Sequence, residues 1–259
     1  MRKTRVSRGQ RRQQIAGYLR KVAFSQTAVE LCEQEATSAQ EQFLHRVLVC
    51  EMVHREQVRK ARLLREAAFP VYKTLEGYEM QHLKLPTQFS LKDLQGGQFI
   101  REKKNLLLFG PVGTGKTHLA IAVGVMACEA GIRTRFFTAA ELVVRLSEAY
   151  KNGTLEKVLR SILKAGLLII DEWGYVPIDK QGAQLLFRII SDSYERRSLI
   201  LTTNLEFSRW GSIFTDDQMA AAMIDRLAHY GYILVFEGES YRMRHALMRQ
   251  KGGQKTPTS

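Results

Sequence analysis

Gly110, Pro111, Val112, Gly113, Thr114, Gly115, Lys116 and Thr117 satisfy the spacing G-x-x-x-x-G-K-[ST] directly after the apolar run Leu106 to Phe109. Glycines at those places let backbone N–H groups turn inward around phosphate oxygens. Lys116 is then placed to reach β- and γ-phosphate oxygens, and the Thr117 hydroxyl to complete a Mg²⁺ shell. A helix opening at Lys116 adds the positive end of its dipole. An accidental glycine-rich turn is a poor account of this stretch, because the motif lies between a buried-type strand and the amphipathic series Leu119, Ala120, Val123, Ala127. The implied ligand is a nucleoside triphosphate.

A second pair of residues could act on that ligand. Leu167-Leu168-Ile169-Ile170-Asp171-Glu172 is an apolar strand ending in two acids, which places both carboxylates at the strand tip where α/β sheets hold ligands. Asp171 is expected to organise Mg²⁺ and its waters. Glu172 is expected to orient and deprotonate a water for attack on the γ-phosphate. Ser198 to Thr203 reads as a further strand ending at Asn204, which either holds the attacking water, touches the γ-phosphate or simply enters a turn.

The elements that must position these groups alternate in type. Strands are predicted over 106–109, 134–138, 167–171, 198–203 and 232–237, with helices near 117–130, 139–164, 181–195 and 217–229. Short apolar strands alternating with helices predict an α/β phosphate-loop NTPase fold, a parallel sheet flanked by helices. The strand at 134–138, lying in sequence between the phosphate-loop strand and the Asp-Glu strand, favours the class with an added central strand and a catalytic Glu over small nucleotide kinases. Ahead of this, Ile15, Leu19, Val22, Leu44, Val47, Leu48 and Met52 recur at helical intervals. The predicted organisation is a helical N-terminal domain over 1–68, a linker over 69–98 opening at Phe69-Pro70, the ATPase domain over 99–250 and a disordered tail over 251–259.

Composition narrows the partners. Among the 259 residues, 39 Lys and Arg against 26 Asp and Glu give a formal charge of +13. The excess clusters: residues 1–22 and 240–259 contain basic side chains and no acid. A polyanion is the natural partner of such clusters. No run approaches the roughly 18 apolar residues needed to span a bilayer, and the charged N-terminus lacks an apolar signal segment, so a cytoplasmic protein is expected. Cys32, Cys50 and Cys128 have neither the pairing nor the spacing of a disulfide framework or zinc site.

Taken together, several segments carry a resemblance: the phosphate loop with its continuation His118-Leu119-Ala120, the Leu167 to Tyr175 series, Thr203-Asn204, Ile224-Asp225-Arg226-Leu227, and Gly238-Glu239-Ser240-Tyr241-Arg242. The sequence resembles the IstB-like ATP-binding proteins, AAA+ helpers of an insertion-sequence transposase and relatives of the helicase loader DnaC. The resemblance covers nearly the whole chain. It implies ATP with Mg²⁺ as ligands, His118 among the residues around the nucleotide, and Asn204 as the first sensor. It further implies that Arg226 reaches a neighbouring subunit's nucleotide and that Arg242 touches the γ-phosphate of its own. Trp173 stands where the family usually has a smaller aliphatic residue, and Thr203 where Ser is commoner.

The resemblance also implies a transposase partner and self-association into a ring or helical assembly, the outcome of a head-to-tail contact through Arg226. Double-stranded DNA is the expected polyanion, bound largely without regard to sequence, since no base-reading motif is present. Lys157, Arg160 and Lys164 at i, i+3 and i+7 share one face of a predicted helix; that face either meets phosphates or is simply solvated. A DnaC-like helicase loader, or an ATP-gated DNA scaffold with little turnover, would share the nucleotide residues.

Overall fold

Strands that are apolar on both faces need a helical layer on each side. The computed structural model describes residues 7–174, 178–214 and 216–241, which divide into a unit ending at Ala61 and a unit beginning at Arg62.

The first unit comprises α1 (Arg8–Lys21), α2 (Gln26–Glu35) and the first part of α3 (Ser38–Ala67). Ser7 caps α1 in a reciprocal box with Gln10, and Ser25 caps α2 through the Ala28 amide, so two helix starts are satisfied locally. Ile15, Ala16 and Leu19 of α1 meet Val29 of α2 and Leu48 of α3 in a small core. Beside it sits Glu41, only 1% exposed, whose carboxylate accepts hydrogen bonds from Arg8 Nε and Nη2 and from Arg12 Nε. The Arg8 hydrogen bonds, then those of Arg12, outweigh burial and pull the Glu41 carboxyl down to about 2. A depressed carboxyl stabilises the fold above its ordinary pKa and loses that contribution as pH falls through the depressed value. The stability difference between the parent and Glu41→Gln is therefore expected to shrink as pH falls from about 4.5 to about 2. Thermal unfolding followed by circular dichroism checks this; a gap unchanged over that interval contradicts it.

The second unit takes up the end of α3 and then runs β1 (Leu83–Lys84), α4 (Leu91–Gly96), α5 (Gln98–Arg101), β2 (Asn105–Phe109), α6 (Lys116–Glu129), β3 (Thr134–Thr138) and α7 (Ala139–Lys151). It continues through α8 (Leu155–Ile162), β4 (Leu167–Asp171), α9 (Lys180–Ser193), β5 (Ser198–Thr203), α10 (Trp210–Phe214), α11 (Asp217–His229) and β6 (Gly231–Phe236). The sheet order is β1-β6-β2-β5-β4-β3, parallel except for β1 against β6.

Alternation along the strands sorts their side chains into two layers. Leu107, Leu168, Ile170, Leu199 and Leu201 face one core with α7, α8, α9 and α11, whereas Leu106, Leu108, Leu167, Ile169 and Ile200 face the other with α6. Each such side chain, fully buried, contributes roughly 1.5–3 kcal/mol, against about 0–1 kcal/mol for an exposed ion pair such as Lys84 with Glu237. The core, not surface charge, holds the sheet. No helix among the described residues is long and apolar enough to cross a membrane.

Two departures from the expectations drawn from sequence have physical causes. The single helix expected over 139–164 is two, because Gly153 adopts a φ of +66° and the Thr154 amide turns back to the Ala149 carbonyl at 2.8 Å. Residues 69–98, expected as a polar connector, contain β1 and α4 and send Phe69, Leu75, Tyr78, Leu83, Phe89 and Leu94 into the core around α6. The expected added central strand is present: β5 separates β2 from β4, while the segment 134–138 lies at the outer edge of the sheet.

Candidate nucleotide site

The loop after β2 closes tightly because glycine permits it. A Cβ on Gly110 would lie 2.3 Å from the Phe236 carbonyl oxygen, so the loop crosses the end of β6 in a space no side chain fits. Gly113 has a φ of +81°, and the segment Ser240-Tyr241 lies against it, with the Tyr241 amide donating to the Gly113 carbonyl at 3.0 Å. Val112 stands exposed at the loop tip. Thr114 Oγ1 donates to the Pro111 carbonyl at 2.8 Å. Lys116, only 9% exposed, donates from Nζ to the carbonyls of Gly110 at 2.7 Å and Pro111 at 2.6 Å. Its ammonium is thus held inside the curl of the loop at the N-terminus of α6, where the helix dipole adds positive potential.

Asp171, buried at the tip of β4, is joined to the loop by the Thr117 hydroxyl and to β5 by that of Thr202. Its Oδ1 accepts from Thr117 Oγ1 at 2.9 Å and from Thr202 Oγ1. Because β5 lies between β2 and β4, the gap between loop and carboxylate is one strand wide, and Thr202 of β5 fills it. Next, Glu172 takes a left-handed φ of 58°, rare for a side-chain-bearing residue. Three hydrogen bonds hold that bend: Glu172 N to Thr202 Oγ1 at 3.0 Å, Trp173 N to the Thr202 carbonyl at 2.8 Å, and Thr203 Oγ1 to the Trp173 carbonyl at 2.8 Å. Trp173 is fully buried, packing on Trp210 and Phe214 with ring centroids 5.5 and 5.3 Å away. Its indole is the anchor that turns the Glu172 side chain outward to solvent.

Asn204 follows β5 directly and is exposed beside the same strand tips. Arg226 lies elsewhere, on α11, with its guanidinium 5.1 Å from the centre of the Phe187 ring on α9 and Nη1 donating to the Ala222 carbonyl at 3.1 Å. Asn105 ties this helix to the loop strand, donating from Nδ2 to the Leu227 carbonyl at 3.3 Å while its Oδ1 accepts from Leu199 N at 3.0 Å. Arg242 lies outside the described residues, one position after the docked Tyr241. Lys157 and Arg160 are exposed on α8, and Lys164 is exposed in the turn beyond it.

The loop opens into a cavity of about 470 Å³ lined by Gly113 to His118 and by Tyr78, His82, Phe236 and Tyr241. Tyr78 Oη donates to the Gly115 carbonyl at 3.2 Å, its ring lies 5.0 Å from that of His118, and burial pushes its hydroxyl pKa upward. His118 Nε2 is 2.8 Å from the Thr74 carbonyl. The volume suits a nucleoside beyond its phosphates. Tyr78 and His82 carry no signal in the sequence, where no spacing relates them to the loop they line. For the metal, the paired oxygens of Thr117 and Asp171 fit a hard divalent cation. Mg²⁺ typically takes one or two protein oxygens with phosphates and water rather than a protein cage, and no cluster of three or more His, Cys, Asp or Glu exists among the described residues.

Residues 17–249 match the family described as IstB-like ATP binding protein. The chain is 39% identical over 210 residues to the insertion sequence IS5376 putative ATP-binding protein of Geobacillus stearothermophilus, covering 81% of this chain and 84% of that protein. It is 38% identical over 203 residues to the IS21 putative ATP-binding protein of Pseudomonas aeruginosa, covering 78% and 77%. The fold resembles that of DnaI, with a TM-score of 0.51 at 17% identity over 68% of this chain and 94% of that one. It also resembles AMPPCP-bound DnaA from Aquifex aeolicus, with a TM-score of 0.50 at 21% identity over 71% of this chain and 56% of that one. The match across most of its length, together with the phosphate loop and the carboxylate it engages, places this chain in the family of IstB-like ATP-binding proteins.

Proposed function

We propose that the bound ATP is hydrolysed, and that cycles of binding and hydrolysis control a multi-subunit assembly on double-stranded DNA that assists a transposase. The observation that carries the reading is the joined tip of β2, β4 and β5. Thr117, Asp171 and Thr202 share hydrogen bonds there, and Glu172 is bent outward beside them. The names of the relatives, both proteins of insertion sequences, support the transposition context.

In this reading Lys116 exchanges its carbonyl partners for β- and γ-phosphate oxygens, and the loop amides orient the same group. Thr117 and Asp171 would hold Mg²⁺, which when bound neutralises charge on the phosphate oxygens. Glu172 accepts the proton of the attacking water, with Asn204 holding that water or the γ-phosphate. Arg226, seated against α9 and outside the lining of its own cavity, serves a neighbouring subunit's γ-phosphate. Arg242 serves the phosphate of its own subunit. Loss of the γ-phosphate then removes contacts made across the subunit interface and releases the assembly. The basic surface, including Lys157, Arg160 and Lys164, meets DNA phosphates.

Lys116→Ala tests the foundation. A charged hydrogen bond is worth about 1.5–3 kcal/mol, so removing a lysine that contacts two phosphates is expected to weaken ATP binding roughly a hundredfold or more. Titration calorimetry with a non-hydrolysable analogue reads this directly. Unchanged affinity would remove the loop from the reading. Electron microscopy with the analogue and duplex DNA reads the assembly; particles that remain single subunits argue against it.

A further inference from the structure

The outer edge of the sheet carries a cluster of guanidinium groups that the nucleotide site does not use. Arg133 and Arg135 bracket the start of β3, and Arg145 projects from α7 above the same strand. The guanidinium carbons of Arg135 and Arg145 lie 5.2 and 5.7 Å from the centre of the Phe137 ring, so two like charges share one aromatic. Neither makes an ion pair among the described residues. Arg135 Nε is buried and has no hydrogen-bond partner. The nearby carboxylate, Glu66, is taken by Arg133 at 3.3 Å and more loosely by Arg62 at 3.8 Å. Glu66 is thus already occupied, and it pairs with neither Arg135 nor Arg145.

Charges on an edge strand commonly serve to block strand-to-strand association. That role is met by solvated side chains and gives no reason to desolvate a guanidinium beside a second one. Burial first, and then the charge of Arg145, hold the Arg135 guanidinium below its usual basicity. The site thus keeps cations together at a cost that an anion would relieve. Guanidiniums match phosphate oxygens in planar, two-point geometry. An extended row of phosphates suits a row of cations along a strand better than a single anion does.

We infer that Arg133, Arg135 and Arg145 form a contact for the phosphodiester backbone of duplex DNA at the outer edge of the sheet. The inference deepens the proposed DNA-bound reading and rests on it. The contact lies at the amino end of β3, while the phosphate loop follows the carboxyl end of β2, three strands away. Five residues at ~3.3 Å along a strand and three spacings of ~4.8 Å across put the two sites roughly 20 Å apart. Binding of nucleotide is accordingly independent of these arginines.

The test uses the full-length protein with a non-hydrolysable ATP analogue and a fluorescent duplex, titrated over a range of salt. Removing one phosphate-binding cation lowers the slope of log affinity against log salt by about 0.9. Arg135→Gln with Arg145→Gln is expected to lower the slope by about 2 and weaken duplex binding about tenfold or more near 0.1 M salt, with analogue affinity and thermal melting retained. Replacing both by Lys should keep most of the slope. Glu66→Gln, which removes the competing carboxylate, should tighten binding.

Lys92→Gln with Arg101→Gln removes the same charge at exposed positions elsewhere and should change the slope less. If the parent fails to bind duplex, the DNA-bound reading itself fails. If the parent binds and the double glutamine variant keeps the full slope and affinity, this contact is wrong while that reading stands. Two further outcomes overturn the assignment. One is displacement of duplex by inorganic phosphate beyond the effect of chloride at equal ionic strength, seen in the parent only. The other is equal binding of oligo-glutamate with equal weakening in the variant.

Discussion

Glu172→Gln is expected to leave ATP affinity within about twofold of the parent while lowering turnover roughly 10²–10⁴-fold, the usual contribution of a positioned general base. The substitution changes one carboxylate oxygen to an amide and little else. The left-handed backbone at Glu172 is held by its own amide on Thr202 and by Trp173 packed beneath it, and neither interaction uses the Glu172 side chain. The nucleotide's other predicted contacts, Lys116, Thr117 and Asp171, remain in place. Since hydrolysis is the proposed release step, the variant should also hold the DNA-bound assembly longer than the parent. Single-turnover phosphate release, alongside analogue titration, separates the two quantities. Retention of parental turnover would show that the acid at the tip of β4 is not the base.

Arg226→Ala is expected to abolish turnover by roughly a thousandfold or more, the scale on which an arginine supplied to phosphoryl transfer acts. Its packing over Phe187 is worth only about 0.5–1 kcal/mol, so the fold should persist. A thousandfold loss corresponds to about 4 kcal/mol of barrier, well beyond that packing. The decisive measurement mixes two inactive proteins. If the arginine acts across an interface, an Arg226→Ala subunit keeps a working loop that a Lys116→Ala neighbour can complete with its intact Arg226. The mixture should then recover part of the parental activity. An arginine acting within its own subunit gives no recovery.

How much of this is legible in the sequence follows from the distance over which each feature is encoded. The phosphate loop and the strand ending in Asp171 and Glu172 are local: spacing within eight residues or fewer defines them, and the strands at 134–138, 167–171 and 198–203 coincide with β3, β4 and β5. The break between α7 and α8 is also local, since Asn152-Gly153 marks it, but a continuous helical periodicity on both sides obscures it. The stretch 69–98 is harder. Its apolar residues have no regular period because they pack as a strap on α6 rather than as a face of one element.

Local chain chemistry, then, determined the phosphate cradle, the paired acids, the parallel-sheet class and the helical N-terminal region, because each is written in neighbouring residues and in periods of 2 or 3.6. Tertiary structure alone decided which strand stands between β2 and β4, that Thr117 ties Asp171 to the loop while Thr202 bonds the same oxygen, that Tyr78 lines the cavity, and that Arg135 and Arg145 converge on Phe137. The Asp171 and Tyr78 contacts join residues tens of positions apart, and they exist only once the sheet order and register are settled by burial on both faces.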